Sequence, residues 1–347
     1  MASWKFTVLI LMTALTWQSY TQETYKSPYR FHELNIYVIP SLHELNWDSP
    51  SQLYQGYKKG ALAKIFKRES YILGHLFIEF TTPLKPEPVY AGMASLSSRE
   101  QRELVLRQHI GLGILGAGVQ GYLESPEQLT RKLRINTGRE TIAAITYRLN
   151  ETAALRILQF IEEFDRTNDQ GHRPARHYGG AFWPLYCHEG AGCSAFGLAM
   201  LDLAGLRNEE TESWKVDVNI PMKLVGGDIN PGNKVTLKDL RSAKNWHNQT
   251  GTPNIDYIPF WIYDPTYIYQ WIREQLSLSR KQSSPSYVDA SAPYLPRLFY
   301  DARHIVVDKD KPIFTDREDN NIFIHHFHLR TSLVNQDSLQ KYSRPKP

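Results

Sequence analysis

The sequence predicts an α+β fold, and three stretches carry that prediction. Over 72–80, Leu76, Ile78 and Phe80 alternate with His75, Phe77 and Glu79, the period-two pattern of a half-buried strand. A proline-rich turn over 82–88 then lets 89–93 return antiparallel beside it. Over 193–204, Phe196, Met200 and Leu203 recur at helical spacing, and Gly205 ends that helix.

The remaining elements follow in chain order. Lys5 precedes an apolar run over 6–15 that gives way to Gln18, Ser19, Tyr20 and Thr21. That is the layout of a secretory signal over 1–21, too short to span a bilayer. No later segment is apolar and long enough to cross one, so the mature chain is expected to be secreted or periplasmic without an integral span. Residues 34–39 form a strand closed by Pro40, and 51–70 form a short helix or an irregular arm. Ser98 caps a helix running to about residue 108, with Glu100 and Glu103 in its early turns. Gly111, Gly113 and Gly116 match a dinucleotide spacing. No strand precedes them and no Lys-Ser or Lys-Thr follows, so a tightly packed turn or strand is expected.

Ser125 and Pro126 open a helix, 141–149 is a strand, and Asn150 begins an amphipathic helix carrying Leu155, Leu158, Ile161 and Phe164. A polar loop over 168–176 leads through His177 and Tyr178 to the cysteine helix. Beyond Gly205, 214–221 alternates as a strand, and 226–228 and 230–233 are turns. Asp264 and Pro265 cap a helix that reaches Gln275. A Ser/Pro-rich mobile loop over 282–296, a last strand over 322–329 and a disordered tail at 343–347 complete the chain. The expected division is a core over 22–210 and a C-terminal β/loop extension over 211–347.

Composition excludes some classes. The net charge of +4 is spread along the chain, so it argues for no nucleic-acid partner, and no phosphate-binding loop implies a nucleotide cofactor. Aromatic residues make up 12% of the chain, which favours binding surfaces without naming a ligand.

The chemistry-bearing candidates are Cys193 and His75. Cys193 opens its helix, where unpaired N–H groups and the positive end of the macrodipole favour the thiolate. His75 opens a strand, and a cysteine with a histidine is the minimum set for a thiol hydrolase. Glu79 faces the same way as His75, but four extended residues span about 13 Å. It therefore reads as a pocket carboxylate, or as the group orienting His75 only if the strand bends; a neighbouring strand is the usual place for that group. Tyr178 offers a hydroxyl ahead of the cysteine, or a packed aromatic. Cys187, six positions before Cys193, leaves a disulfide open in an oxidising compartment. His172, His177, His188 and Glu189, and separately His326 with His328 on one strand face, are weighed as metal ligands. None shows the paired spacing of a metal motif, and no metal is expected.

Gly74-His75 on a strand, followed much later by Gly192-Cys193-Ser194 opening a helix, resembles the NlpC-type papain-like hydrolases in their circularly permuted form, over roughly residues 70–206. The resemblance implies a small antiparallel sheet packed on the cysteine helix. It also implies thiolate attack by Cys193 on an amide or ester carbonyl with His75 as base, no cofactor, and Tyr178 near the site as in some permuted relatives. The implied substrate is an amide in a cell-envelope peptide, with a lipid ester or acyl chain second; Phe77, Tyr178, Phe182 and Trp183 would form its pocket wall. The alternative class is an exported binding module with an aromatic groove, in which Cys193 is buried or bridged to Cys187.

Overall fold

The computed structural model describes residues 27–67, 71–168, 171–281 and 286–330. The expected signal over 1–21 and the tail at 343–347 lie outside them. In chain order the first elements are β1 (His32–Ile39), α1 (Pro50–Lys67), β2 (His75–Thr81), β3 (Val89–Ala91), β4 (Met93–Ser95) and α2 (Ser98–Leu106). Then come β5 (Val119–Leu123), α3 (Pro126–Gly138), β6 (Ala143–Leu149), α4 (Glu151–Asp165), β7 (His177–Tyr178) and α5 (Cys193–Leu203). Next are α6 (Glu209–Glu212), β8 (Lys215–Pro221), α7 (Leu237–Ser242), β9 (Tyr257–Tyr263), α8 (Pro265–Arg280), β10 (Val288–Asp289) and β11 (Arg297–Asp301). A last helix, α9, covers 322–330. The fold is mixed α+β, and no helix among the described residues is long and apolar enough to cross a membrane.

The main sheet has six strands in the order β10-β11-β6-β1-β2-β3. Its pairs are antiparallel except β11 with β6, which run parallel. Period-two alternation gives the sheet two faces. Leu34, Ile36, Val38, Leu76, Ile78, Phe80 and Ile145 join Phe160 of α4, Phe196 of α5 and Ile272 of α8 in the largest core cluster. Tyr37, Phe77 and Ala144 point the other way and meet Leu129 of α3. A three-stranded sheet, β4-β5-β7, and a two-stranded antiparallel sheet, β8-β9, complete the strands.

Local chemistry places the helices. The Ser125 side chain accepts from the Gln128 backbone N–H, and the Gln128 side chain returns to the Ser125 N–H, a full capping box with Pro126 behind it. Asn150 caps α4 through Ala153, and Asp264 caps α8 through Thr266. Gly205 takes φ of +68° just past α5, the left-handed conformation that suits glycine at a helix end.

The structure corrects several expectations. Ser97 rather than Ser98 caps α2, accepting from the Arg99 N–H. The stretch 51–70 contains no irregular arm up to Lys67 but a helix of 18 residues. The return strand over 89–93 breaks at Gly92: β3 pairs with β2, whereas β4 leaves for β5 in the second sheet. The glycine segment is a 3-10 turn over Leu112–Leu115, packed as expected, with Gly116 seated under Phe323. The stretch 322–329 is helical. Asn321 accepts from the Phe323 and Ile324 N–H groups, and Phe323, Ile324 and Phe327 then bury one helical face in the second core cluster.

Residue 210 is no boundary either. Strand β11 extends the main sheet beyond β6, and Ile268, Ile272, Leu276 and Leu298 belong to the largest cluster. A chain cut after residue 210 is therefore expected to lose its cooperative thermal transition, measured by circular dichroism, and its dispersed amide NMR spectrum. A sharp transition with native-like dispersion in that fragment would restore the boundary.

Candidate active site

Cys193 is the first residue of α5, and its N-cap, Gly192, supplies no side-chain acceptor to the opening turn. The helix lies tight on β2, because a Cβ on Gly197 would sit 2.1 Å from Leu76 Cδ2. That approach sets the Cys193 thiol among the His75 side chain, the Leu76 backbone N–H and the Tyr178 hydroxyl, which together draw its pKa down. Cys193 is 8% exposed, so the thiol is nearly buried.

His75 is held from its other side. Its Nε2 lies 2.6 Å from Glu124 Oε2, which leaves Nδ1 as the ring nitrogen for the sulfur. Burial pushes the imidazole down, but the hydrogen bonds to Cys193 and Glu124 and their charges outweigh it and lift its pKa to about 9. The thiol moves the opposite way. Burial pushes it up, yet the His75 hydrogen bond and charge, with the Leu76 and Tyr178 bonds, bring it down to about 7. Between those values the favoured state is a thiolate beside an imidazolium.

Glu124 is the group that reading the sequence missed. It directly follows β5, is 4% exposed, and donates its backbone N–H to the Gly92 carbonyl at 2.9 Å. Its second oxygen accepts from Lys132 Nζ, two turns into α3. Burial pushes its carboxyl up, but His75 and Lys132 hold it below the usual carboxylate value. Gly92 makes room: a Cβ there would stand 2.9 Å from Phe77 Cβ and 3.3 Å from Glu124 Oε2. The signal in the sequence was an acid between a period-two strand and a Ser-Pro cap. Nothing local ties that acid to His75, 49 positions away.

Tyr178 lies beside the thiol. Strand β7 sets it opposite Val119 of β5, and the Cys193 charge, then burial, push its hydroxyl well above the usual phenol value. It is therefore a neutral donor to the sulfur. Glu79 does not belong to this group. Its carboxylate accepts from Tyr37 and Tyr90, each at 2.7 Å, and from Asn35 at 3.3 Å, so partners on β1 and β3 occupy it. The expectation of a pocket carboxylate at Glu79 is corrected accordingly. The expected aromatic wall is corrected too, since Phe77, Phe182 and Trp183 are buried in the cores.

Cys187 and Cys193 are both free thiols, so no disulfide joins them. His172 and His177 stack at 4.8 Å, and His188 stands edge-on to His172 at 5.4 Å. Burial, then the neighbouring His172 and His328, hold His177 down to about 4. Among the described residues no three His, Cys, Asp or Glu side chains are grouped to hold a metal ion. Glu189 is taken by Arg317, at 2.5 and 2.8 Å. On a helix, His326 and His328 stand about 200° apart, so they do not share a face. No protein-family model matches the chain, and comparison with curated proteins and with solved structures finds no match.

The neighbours of Cys193 draw its thiol down toward neutral pH. Its alkylation by iodoacetamide is expected to rise through pH about 7, the value its surroundings set. In Glu124→Gln the imidazolium loses its carboxylate, and that inflection is expected to move up by roughly one unit. A pH–rate profile of labelling, read at Cys193 by mass spectrometry, checks both. An inflection that stays put in Glu124→Gln would remove Glu124 from the proton-sharing set.

Proposed function

We propose that this chain is a thiol hydrolase of the circularly permuted papain-like type, with Cys193 as nucleophile, His75 as base and acid, and Glu124 as the group that orients His75. The observation that carries the reading is His75, held by Glu124 at 2.6 Å on Nε2 while its charge couples to the Cys193 thiol. A helix-start thiolate, an imidazole held by a carboxylate and a neutral hydroxyl donor are the parts acyl transfer needs.

The Cys193 sulfur attacks the carbonyl carbon, and the oxygen takes the negative charge. In this reading the Cys193 backbone N–H and the Tyr178 hydroxyl, which lie beside the sulfur, take up that charge. His75 passes its proton to the leaving amine or alcohol as the carbon–nitrogen or carbon–oxygen bond breaks, leaving a thioester on Cys193. His75 then takes a proton from water, the hydroxide adds to the thioester, and the acid leaves as the thiol is regenerated and shares its proton with His75 again. The signal-like segment over 1–21 and the family resemblance support an exported enzyme, secreted or periplasmic, acting on a cell-envelope peptide amide. A lipid ester or acyl chain is the second substrate class. Glu79 offers the substrate no unengaged carboxylate, because its oxygens are occupied. Of the marks set for the binding-module reading, Cys193 is buried, but it is not bridged to Cys187, and Phe77, Phe182 and Trp183 are buried as well.

The test is hydrolysis of a panel of peptide amides, cell-wall fragments, phospholipids and p-nitrophenyl esters by the purified protein. Cys193→Ala is expected to abolish turnover and the thioester. His75→Ala is expected to slow it by about a thousandfold or more, and Tyr178→Phe by roughly ten- to a hundredfold with little change in KM. Turnover that survives Cys193→Ala, or no turnover of any member by the wild type, would overturn the reading.

A further inference from the structure

Helix α1 carries apolar residues on two opposite sides. Leu53, Gly56 and Gly60 are buried and fall in one stripe, the face turned to the protein. Leu62, Ile65 and Phe66 lie opposite that stripe and are 46%, 71% and 82% exposed. At about 100° per residue they share roughly 120° of the helix surface with Lys58 and Lys59, which stand about one turn nearer the N-terminus. A single exposed apolar side chain is ordinary. Three neighbouring ones at one helix end form a patch that needs an explanation.

The charge around the patch narrows what it meets. Helix α1 contains no acidic residue. Lys58 and Lys59 are exposed, and neither forms an ion pair among the described residues. Glu44, on the loop packed against the helix, lies at Gly56 on the buried side. Helix α7 packs beside the first turns of α1, where the Ala243 carbonyl accepts the Ser51 N–H at 3.0 Å and Arg241 stands 5.7 Å over the Tyr54 ring. That neighbour adds exposed Lys238 and Lys244, while its one acid, Asp239, is turned back on its own cap at Thr236. A basic face that ends in an apolar tip complements an anionic lipid surface. The tip enters the boundary between headgroups and acyl chains, and the lysines reach the phosphates. A second copy of this chain would set lysine against lysine across a two-fold interface. A soluble polyanion would make no use of the apolar tip.

We propose that the outward face of α1 docks this protein on an anionic membrane surface, with Leu62, Ile65 and Phe66 at the headgroup boundary and Lys58 and Lys59 on the lipid phosphates. The docking is peripheral and involves neither Cys193 nor His75, so failure of the hydrolase reading leaves it untouched.

Co-sedimentation of the purified protein with vesicles tests it. Phosphatidylcholine vesicles containing roughly 30% phosphatidylserine are expected to pellet at least about tenfold more protein than pure phosphatidylcholine. Raising salt from about 0.05 M to about 0.5 M is expected to release most of it. The double variants Ile65→Ser/Phe66→Ser and Lys58→Glu/Lys59→Glu are each expected to lose binding. Their side chains are exposed, so the thermal transition by circular dichroism is expected to stay that of the wild type. No pelleting with the anionic vesicles, equal pelleting with pure phosphatidylcholine, or a double variant that pellets as the wild type does would overturn the proposal. So would a dimer on gel filtration that Ile65→Ser/Phe66→Ser dissolves, which would assign the face to a second copy.

Discussion

A single buried carboxylate, Glu124, fastens the start of β2 to the end of β5 and to α3. Taking a carboxylate out of water favours its neutral form, and a neutral Glu124 would hold His75 only weakly. It stays ionised because its two oxygens meet two cations: Oε2 faces His75 Nε2 and Oε1 accepts from Lys132. The partners are unequal. The Lys132 side chain is 38% exposed, so water screens its share, whereas that of His75 is 14% exposed and forms the tighter electrostatic couple. Through His75 the same charge reaches Cys193, whose thiolate gains from an imidazolium that Glu124 keeps protonated.

The site stands on a seam between two packing units. His75 comes from the main sheet, Glu124 and Tyr178 from the three-stranded sheet, and Cys193 from the helix that covers the main sheet. Gly92 is where the chain crosses: β3 before it pairs with β2, and β4 after it pairs with β5. Tyr178 packs against both large core clusters, so its hydroxyl is held from two sides. Close approach does the rest. Gly197 lets α5 settle on Leu76, and any side chain there would lift the cysteine away from the histidine.

Cys193 and His75 were legible in the sequence because their signals are local, and Tyr178 was named with them. Cys193 follows two glycines at the start of an apolar helical pattern, and His75 opens a period-two strand. Glu124 was not legible, since its link to His75 depends on how β5 docks beside β2, and no short-range pattern encodes that pairing. The same distinction runs through the fold. Strands β1, β2, β6 and β8 and helices α3, α4, α5 and α8 announced themselves by periodicity and caps. Strand β11 did not, because its parallel pairing with β6 spans about half the chain. Helix α9 misled because Ile322, Phe323, Ile324 and Phe327 have strand-like composition. Only the Asn321 cap and burial against the second cluster make it helical.

The contrast between Glu79 and Glu124 explains why a shared face was a poor guide. Both are carboxylates, and Glu79 is the nearer to His75 in sequence. Glu79 is satisfied by neutral donors, Tyr37, Tyr90 and Asn35, and Asn35 in turn accepts from Thr146 across the sheet. Burial, with the charge of Glu79, pushes both tyrosine hydroxyls far above the neutral range. None of these donors exchanges a proton near neutrality, so the network ties β1, β2, β3 and β6 together without influencing a reactive group. Glu124 meets a partner that does titrate in that range, and that partner touches a thiol. A carboxylate tunes reactivity only through a neighbour whose proton is free to move, and in this fold that neighbour is His75.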